Sequence, residues 1–414
     1  MNYKEVKEKK YQENKEKLEK IKNNKTKKVL ILSCGTGGGH NSAAKAVKEA
    51  IMQKGVQADF IEYLEIIDNN VKEKVNNLYL KSTHGEGKVF KEVYKLGTIY
   101  QKTKLKSPVY QLNSLSKNKL LNYIIENEYN YVVTTHLFPA QALTAIKKKY
   151  DIHFIAVATD YVCIPFWEET NPDYFIIPSE ELKSDFMNKG IPEEKLIPLG
   201  IPVYLKYSKK YDKETVKKEL DLDLNTEYVL ILNGSMGFGH IAELMQKLLK
   251  KFDDIHFIVS CGNNKKMIAD VKQLNSDRVI ALGFVDNLEK YMSASEVVLT
   301  KPGGLTTTEI ATIRKPFIHI KPIPGCENYN AEYFSSRKMS LQSKSEEEII
   351  ENLQKLISDQ DLQNELVKNQ EKYINQKACE NLVEFLLNNR WNYKRLVCKV
   401  GRKPLFDKKI IKET

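Results

Sequence analysis

The chain has 414 residues, of which 42% are hydrophobic and 29% are charged, so it is long enough for two or three globular domains and unlike disordered or collagen-like proteins in composition. No apolar run approaches the roughly 20 residues that a helix needs to span a bilayer. The first 28 residues alternate lysine and glutamate and lack the apolar stretch of a secretory signal. The six cysteines are scattered singly, which argues against structural zinc and against a disulfide scaffold. These features predict a soluble, intracellular protein.

The net charge of +11 is concentrated in two lysine-rich blocks. Residues 1–28 carry a net charge of +6 and residues 81–120 carry +7, so the remaining chain is close to neutral. Such blocks are typical of contact with an anionic surface, either nucleic acid or lipid headgroups. No nucleic-acid reading motif is present, which disfavours a nucleic-acid partner. The alternative is that lysine covers every solvated face in a lysine-rich composition.

In chain order, residues 1–28 predict a frayed helix or tail, and short β-branched runs then alternate with helical stretches. The first series of predicted strands is Val29–Cys34, Gln57–Tyr63, Tyr131–Thr135, His153–Thr159 and Tyr174–Pro178. The second series is Tyr228–Asn233, Ile255–Cys261, Arg278–Leu282, Glu296–Thr300 and Pro316–Ile320. Continuous apolar runs of this kind are typical of strands buried on both faces of a parallel sheet.

The polar stretch Ser208–Thr226 separates the two series, so we predict an α/β protein with two doubly wound domains that face each other across a cleft. Ligands bind such sheets at the carboxyl ends of the strands, which makes the cleft the expected site. The predicted domains are a basic extension (1–28), an N-terminal domain (29–207), a C-terminal domain (208–375), and a final helix with a tail (376–414).

Residues 81–120 interrupt the first series with an amphipathic segment. One helical face carries Phe90, Val93, Tyr94 and Gly97, and the other carries Lys88, Lys91 and Lys95. This pattern is typical of a segment that seeks a membrane interface. The alternative is an ordinary surface helix that packs its aromatic stripe on the domain.

The first glycine-rich turn, residues 34–40, reads Cys-Gly-Thr-Gly-Gly-Gly-His and follows a predicted strand. Glycines let the backbone approach a ligand closely, and the N–H groups of Gly38 and Gly39 at a helix start can receive an anion or polar group. His40 lies at the mouth of the turn, where a neutral imidazole can act as a general base. The alternative is a tight connection without a ligand. An NAD-binding turn is followed about 20 residues later by an acidic residue that binds ribose. In its place this chain has Asp-Phe-Ile-Glu at residues 59–62, which disfavours a dinucleotide.

Two further glycine-rich stretches follow strands of the second series. Residues 233–240 offer an anion cradle at Gly234, Ser235 and Met236, but they lack the Gly-Lys-Ser/Thr of a P-loop. Residues 301–309, Lys-Pro-Gly-Gly-Leu-Thr-Thr-Thr-Glu, form the most specific pattern, with backbone and hydroxyl donors for a diphosphate and a carboxylate for ribose hydroxyls. Residues 324–331 add carboxylate and amide groups able to hold sugar hydroxyls. The alternative is a pair of solvated polar loops.

These motifs follow a specific order over roughly residues 28–390. They are Gly-Thr-Gly-Gly-Gly-His (35–40), Thr-Thr-His (134–136), Thr-Asp-Tyr (159–161) with Trp167, Gly-Ile-Pro-Val (200–203), Gly-Ser-Met-Gly (234–237), Gly-Phe-Val (283–285), Lys-Pro-Gly-Gly-Leu-Thr (301–306) and Pro-Gly-Cys-Glu-Asn (324–328). In this order they resemble the monogalactosyldiacylglycerol synthase and processive diacylglycerol glucosyltransferase family, within glycosyltransferase family 28. One departure is Ile164, where many members carry histidine.

The resemblance implies a glycosyltransferase-B fold, with a UDP-sugar on the C-terminal domain and a diacylglycerol or glycosyl-diacylglycerol acceptor reached by the N-terminal domain from an anionic phospholipid surface. The implied donor contacts are Gly303, Gly304, Leu305 and Thr306 for the diphosphate, Glu309 for the ribose, Phe284 and Val285 beside Gly283 for the uracil, and Glu327 with Asn328 for the sugar. It also implies that His136, Trp167 and the insertion 81–120 serve the acceptor side. The last helix, about Ala378–Arg390, would cross back to the first domain. The expected location is the inner face of the cell membrane.

The implied reaction is an inverting transfer in which a base takes the proton of the acceptor hydroxyl. His40 is the candidate base, and Asp160 is the alternative or its partner. Amides near Gly303 and Gly304 would stabilise the departing diphosphate. No paired acidic metal motif is present, so we expect no metal or other cofactor. Family relatives favour glucose, with galactose, GlcNAc and the number of sugars left open. The competing hypotheses are a UDP-GlcNAc 2-epimerase of the same fold and a non-catalytic, membrane-docked UDP-sugar sensor.

Overall fold

A computed structural model describes residues 2–35, 38–67, 106–232, 241–320, 322 and 325–388. They form two α/β domains, each built on a parallel sheet of six strands. This architecture confirms the predicted fold of two doubly wound domains. All ten predicted strands are present, with ends within two residues of the expected positions. Two very short edge strands, Leu196–Ile197 and Leu341–Gln342, were not predicted.

The first sheet has the order β2-β1-β3-β4-β5-β6 and the second has the order β12-β11-β10-β7-β8-β9. The strands of the first sheet are β1 (Lys28–Ser33), β2 (Gln57–Glu62), β3 (Tyr131–Thr134), β4 (Phe154–Val157), β5 (Tyr174–Ile176) and β6 (Leu196–Ile197). Those of the second sheet are β7 (Glu227–Leu232), β8 (Ile255–Gly262), β9 (Val279–Gly283), β10 (Val297–Thr300), β11 (Phe317–His319) and β12 (Leu341–Gln342). The strand order reverses beside β1 in the first sheet and beside β7 in the second.

Helices cover both faces of each sheet. In the first domain and its N-terminal extension they are α1 (Tyr3–Asn23), α2 (Gly39–Gln53), α3 (Tyr63–Ile66), α4 (Pro108–Ser114), α5 (Lys117–Glu126), α6 (Leu137–Lys147) and α7 (Lys183–Asn188). In the second domain they are α8 (Lys213–Glu219), α9 (Ile241–Lys251), α10 (Lys265–Lys272), α11 (Leu288–Ala294), α12 (Gly304–Ile313), α13 (Cys326–Ser336), α14 (Glu346–Ser358) and α15 (Gln360–Tyr373), with α16 (Ala378–Asn388) following. Short 3₁₀ turns occur at Trp167–Glu169, Glu180–Leu182, Glu193–Lys195 and Leu205–Ser208.

The N-terminal extension differs from the predicted frayed helix or tail. Asn2 and Glu5 form a reciprocal capping box that starts α1. Farther along the helix, Leu18 and Ile21 are buried in the core of the first domain. Lys22 forms an ion pair with Asp151. The prediction was wrong because the apolar seam is weak in sequence, and the partners that bury it come from elsewhere in the chain.

The last helix, α16, packs on α2 of the first domain. Its residues Leu382, Val383 and Leu386 are buried in the same cluster as Val29 of β1. Where the chain crosses back, Gly200 has a φ of +97° and lies so near α16 that an added Cβ would be 2.9 Å from Ala378 Cβ. Glycine is therefore required at this position on two grounds, backbone conformation and space.

No helix within the described ranges is long and apolar enough to cross a membrane. Residues 81–105 of the basic insertion lie outside the described residues, including Lys88, Phe90, Lys91, Tyr94 and Lys95. The rest of that insertion forms α4 and the start of α5. Residues 389–414 also lie outside the described residues.

The crossing helix provides a direct test of the packing. Leu382 is 0% exposed, so Leu382→Ala should lower the free energy of unfolding by about 2–5 kcal/mol through lost burial and a cavity. Leu115 is 70% exposed, and Leu115→Ala should change it by no more than about 0.5 kcal/mol. Urea unfolding followed by circular dichroism measures both. Equal effects of the two substitutions would contradict the placement of α16.

Candidate active site

The candidate site lies where the two sheets turn their strand ends toward each other. The carboxyl ends of β1 and β3 lead into the turn before α2 and into α6, and the carboxyl end of β10 leads into α12. These are the points where strand order reverses, which is where doubly wound sheets bind ligands. The starts of α2 and α12 meet here, since an added Cβ on Gly39 would lie 3.5 Å from Leu305 Cβ.

His40, in the first turn of α2, is held by groups from the ends of two neighbouring strands. Its Nδ1 lies 3.0 Å from the carbonyl oxygen of Thr135 and 2.8 Å from Thr159 Oγ1. A carbonyl oxygen can only accept a hydrogen bond, so Nδ1 carries the proton of the neutral ring. The basic lone pair is therefore on Nε2. This is the arrangement that a general base needs.

The charge state of His40 reflects opposing influences. Burial lowers its pKa, while the negative charge of Asp160 and the hydrogen bond to Thr135 act to raise it. The net effect is a pKa below the usual value near 6.5, so the ring is neutral at pH 7. A neutral imidazole whose lone pair is on Nε2 can accept a proton there.

His136 lies behind His40 and is buried. Its ring meets that of His40 edge-on, with centroids 4.7 Å apart. Its Nδ1 accepts a hydrogen bond of 3.1 Å from Phe138 N, so it caps the start of α6. Burial, together with the neighbouring His40, holds the pKa of His136 well below its usual range. His136 therefore stays neutral and shapes the base of the site.

Glu62 explains why the first glycine turn departs from the dinucleotide pattern. Its carboxylate, at the end of β2, accepts a hydrogen bond of 3.1 Å from Gly35 N. An added Cβ on Gly35 would lie 2.6 Å from the same carboxylate oxygen. The acidic group therefore supports the turn itself, where a dinucleotide-binding fold would direct it to a ribose. Gly38, with a φ of +80°, precedes α2 in a conformation that favours glycine.

At the start of α12, the two glycines predicted to bind the diphosphate differ in the space around them. A Cβ added to Gly303 would meet nothing within 4 Å, so this part of the turn is accessible. A Cβ added to Gly304 would lie 2.0 Å from the carbonyl oxygen of Thr159. Gly304 is thus needed for the contact between domains, a reason that the sequence did not reveal. Leu305 is buried and Thr306 is half-buried in the first turn of the helix.

The predicted sugar-binding residues lie at the start of α13. Glu327 is buried, and one of its carboxylate oxygens lies 2.8 Å from Lys301 Nζ. Asn328 is exposed beside it. The ion pair joins the start of the diphosphate motif to the sugar motif, so the two predicted donor segments are adjacent in space.

Glu309 lies on α12 beneath the segment that connects the domains. It is buried near Tyr207, Lys206 and Glu289, and Lys206 forms a 2.8 Å ion pair with Glu289. Burial raises the pKa of Glu309 to about 8, against the lowering effects of Lys206 and the Tyr207 hydrogen bond. No sequence motif marks Lys206 and Tyr207, which lie in the 3₁₀ turn Leu205–Ser208 at the end of the first domain.

The remaining predicted contact residues differ in how exposed they are. Phe284, directly after β9, is 67% exposed, and Val285 beside it is half-buried, so an aromatic face is available to a base. Trp167 is only 3% exposed and packs edge-on against Phe175, with centroids 5.7 Å apart. Its indole is part of the core, and its role on the acceptor side stays a prediction. Gly234, Ser235 and Met236 lie outside the described residues.

The unusual carboxyl of Glu309 predicts a pH-dependent stability. Its pKa is about 8 in the folded protein and near 4.5 in an unfolded chain, so between these values the folded state binds more protons. Stability should therefore fall as pH rises from about 4.5 to 8, by at most about 1.4 kcal/mol per pH unit for this one group. Glu309→Gln should remove that part of the slope in urea titrations, whereas Glu351→Gln, at an exposed site on α14, should retain it. Parallel slopes in all three proteins would contradict the burial.

The comparisons with known proteins agree with this geometry. Residues 40–203 match the family model of monogalactosyldiacylglycerol (MGDG) synthase, and residues 228–384 match that of the glycosyltransferase family 28 C-terminal domain. The processive diacylglycerol beta-glucosyltransferase of Bacillus subtilis (strain 168) is 28% identical over 84% of this chain and 91% of its own length.

Two solved structures share the fold. MurG from Acinetobacter baumannii has a TM-score of 0.58 at 14% identity and covers 88% of this chain and 100% of its own. MnaA from S. aureus, solved with UDP, has a TM-score of 0.59 at 12% identity and covers 92% and 99%. Together the two family models span most of the chain. One matches the first domain and the other matches the second, and the cleft described above lies between them. The chain is a UDP-sugar hexosyltransferase and belongs, within glycosyltransferase family 28, to the family of monogalactosyldiacylglycerol synthases and processive diacylglycerol glucosyltransferases.

Proposed function

We propose that this enzyme transfers glucose from UDP-glucose to diacylglycerol with inversion at the anomeric carbon, and that it can add further sugars to the product. The acceptor and the sugar follow the name of the Bacillus subtilis relative. The observation that carries the chemical part is the tautomer of His40, whose Nδ1 is engaged by Thr135 and Thr159. His40 lies in the first turn of α2, and Gly39, the first residue of that helix, approaches Leu305 at the start of α12.

In the proposed step, His40 Nε2 takes the proton of the acceptor hydroxyl. The hydroxyl oxygen then forms the new bond to the anomeric carbon as the bond from that carbon to the UDP oxygen breaks. The departing diphosphate carries the negative charge, which the N–H groups at the start of α12 stabilise together with the helix dipole. Asp160 offsets part of the effect of burial on the pKa of His40, and so favours the protonated imidazolium that forms.

On the donor side, Gly303, Leu305 and Thr306 are assigned to the diphosphate, and Phe284 with Val285 is assigned to the uracil. Glu327 and Asn328 are assigned to the hexose, and Glu309 to the ribose. The adjacency of Lys301 and Glu327 supports placing diphosphate and sugar side by side. Turnover that persists in EDTA would support the further expectation that no metal is required.

A donor panel tests the function. The protein is incubated with diacylglycerol vesicles and, separately, UDP-glucose, UDP-galactose or UDP-GlcNAc, and the lipids are analysed by mass spectrometry. We expect glucosyl-diacylglycerol, with some diglucosyl product, from UDP-glucose. Conversion of UDP-GlcNAc in the absence of any lipid would instead indicate an epimerase. Binding of UDP-sugar without a glycolipid or epimerised product would indicate a sensor.

The role of His40 gives a kinetic prediction. His40→Ala should lower kcat by about 10²–10⁴-fold, the usual contribution of a general base, and leave the Kd of UDP nearly unchanged. His256→Ala is the control, since His256 is a half-buried histidine on β8 whose ring packs against Tyr228. Steady-state kinetics and calorimetry measure the two quantities. If UDP binding is lost as well, His40 supports the fold, and Asp160 becomes the candidate base.

The ribose assignment predicts a loss of nucleotide affinity. Glu309→Ala should weaken UDP binding by about 1.5–3 kcal/mol, since a hydrogen-bonded carboxyl group is removed. Glu289→Ala serves as the matched control, because Glu289 is a buried carboxylate of the same cluster to which no ribose contact is assigned. Calorimetric titration with UDP measures both. An equal loss in the two variants would show that the cluster maintains the structure and does not bind ribose.

We also propose that residues 81–120 attach the enzyme to the inner face of the cell membrane. The support is their net charge of +7 and the family of the chain. Replacing Lys88, Lys91 and Lys95 with Gln should weaken binding to phosphatidylglycerol-rich vesicles by about 2–3 kcal/mol, and hardly affect binding to neutral vesicles. High salt should have the same effect.

Two variants control that vesicle experiment. Replacing Phe90 and Tyr94 with Ser should weaken binding to both vesicle types, because apolar insertion does not depend on lipid charge. Replacing Lys4, Lys7 and Lys9 of α1 with Gln removes the same charge elsewhere and should have a smaller effect. Co-sedimentation measures the bound fraction. Equal losses in the two lysine variants would indicate a general effect of charge.

A further inference from the structure

A loop of the first domain is anchored in the core of the second. Tyr161 follows β4 of the first sheet, yet it is 3% exposed and stacks on Tyr333 of α13 with ring centroids 4.6 Å apart. Phe334 meets the same ring edge-on at 4.8 Å. The Tyr161 hydroxyl lies 2.8 Å from Thr308 Oγ1 of α12. A buried aromatic ring with a bonded hydroxyl holds both the position and the orientation of its loop.

Asn330 of α13 is fully buried beneath this loop and holds it with both ends of its side-chain amide. Its Oδ1 accepts a hydrogen bond of 2.7 Å from Tyr161 N. Its Nδ2 donates to Asp160 Oδ1 at 2.9 Å and to the carbonyl oxygen of Pro302 at 3.0 Å. An asparagine amide can make about four hydrogen bonds, so three bonds leave it little freedom to turn. One side chain thus joins the loop, α13 and the start of the diphosphate motif.

The same loop carries the groups that act on His40. Thr159 Oγ1 lies 2.8 Å from His40 Nδ1, and the charge of Asp160 acts on the same ring. Both residues precede Tyr161 directly, so their positions depend on where the loop is held. A displacement of about 1 Å at a catalytic group can cost on the order of 10²-fold in rate. Among the described residues the three hydrogen bonds of Asn330 go to Tyr161, Asp160 and Pro302, so we expect it to influence His40 through Thr159 and Asp160.

We propose that Asn330 is a positioning residue for the transfer reaction, which holds the Thr159–Tyr161 loop on the donor domain and so aligns Asp160 with His40 when the cleft is closed. This rests on the proposed function for its effect on turnover. It predicts that the base is aligned only when donor and acceptor domains meet. Proton transfer is thereby tied to the presence of the donor domain.

The kinetic test uses Asn330→Asp, which keeps the shape and the acceptor for Tyr161 N but loses both donated hydrogen bonds. We expect kcat to fall about 10- to 100-fold while the KM for UDP-sugar and the Kd of UDP change less than about 3-fold. Asn352→Ala is the control, since Asn352 makes two side-chain hydrogen bonds within the second domain. Its turnover should match the wild type.

A double-mutant cycle separates positioning from a general structural role. In an Asp160→Ala background, Asn330→Asp should cause a smaller loss of kcat than in the wild type, because one of the two groups through which it acts is gone. Full additivity of the two losses would overturn the proposal. So would a loss of UDP affinity that matches the loss of kcat/KM, since Asn330 would then bind the donor itself.

Hydrogen exchange tests the clamp without turnover. In Asn330→Asp and in Asn330→Ala, the amides of residues 159–164 should exchange faster than in the wild type, and the amides of β8 should be unchanged. Asn352→Ala should leave residues 159–164 protected. Unchanged exchange there in both Asn330 variants would overturn the proposal. A wild-type protein that makes no glycolipid would refute the proposed function alone, because the exchange result stands without it.

Discussion

The contact between two backbones across the cleft governs the arrangement of the site. Gly304 approaches the carbonyl oxygen of Thr159 so closely that any side chain would collide with it. This approach brings the start of α12 to the loop that holds His40. Because the contact is made by backbone atoms, no change of rotamer can relieve an added Cβ. Gly304, which belongs to a motif that resembles a phosphate-binding turn, therefore also sets the distance between the two domains.

Polar residues near this contact divide into two layers with different tasks. His40 is exposed enough to meet a substrate, and Thr135 and Thr159 fix which of its nitrogens carries the proton. Behind it, His136 is neutral because of burial, and its Nδ1 accepts a hydrogen bond from the backbone of α6. A second charged imidazole so close would oppose the protonation of His40 during the reaction. Keeping the rear ring neutral removes that obstacle.

Much of this architecture could be predicted from the sequence, because buried parallel strands and glycine turns leave strong local signals. Continuous apolar runs such as Tyr228–Asn233 predict the strands, and the polar stretch Ser208–Thr226 between the two series predicts the second domain. The prediction failed where the determining partner is distant in sequence. Helix α1 has a weak apolar seam, and only tertiary contacts with the first domain bury it. Asn330 lies in the stretch 324–331, for which the sequence predicts contacts with sugar hydroxyls, yet its amide bonds the loop of the other domain.

The two places where the chain passes between domains lie against each other. Gly200, in the first passage, meets Ala378, and Asn375 in the second donates a hydrogen bond of 2.8 Å to the carbonyl oxygen of Leu199. A side chain at Gly200 would push the second passage away from the first, because an added Cβ would lie 2.9 Å from Ala378 Cβ and 3.4 Å from Asn375 Cβ. One position in the first passage therefore constrains both connections between the domains.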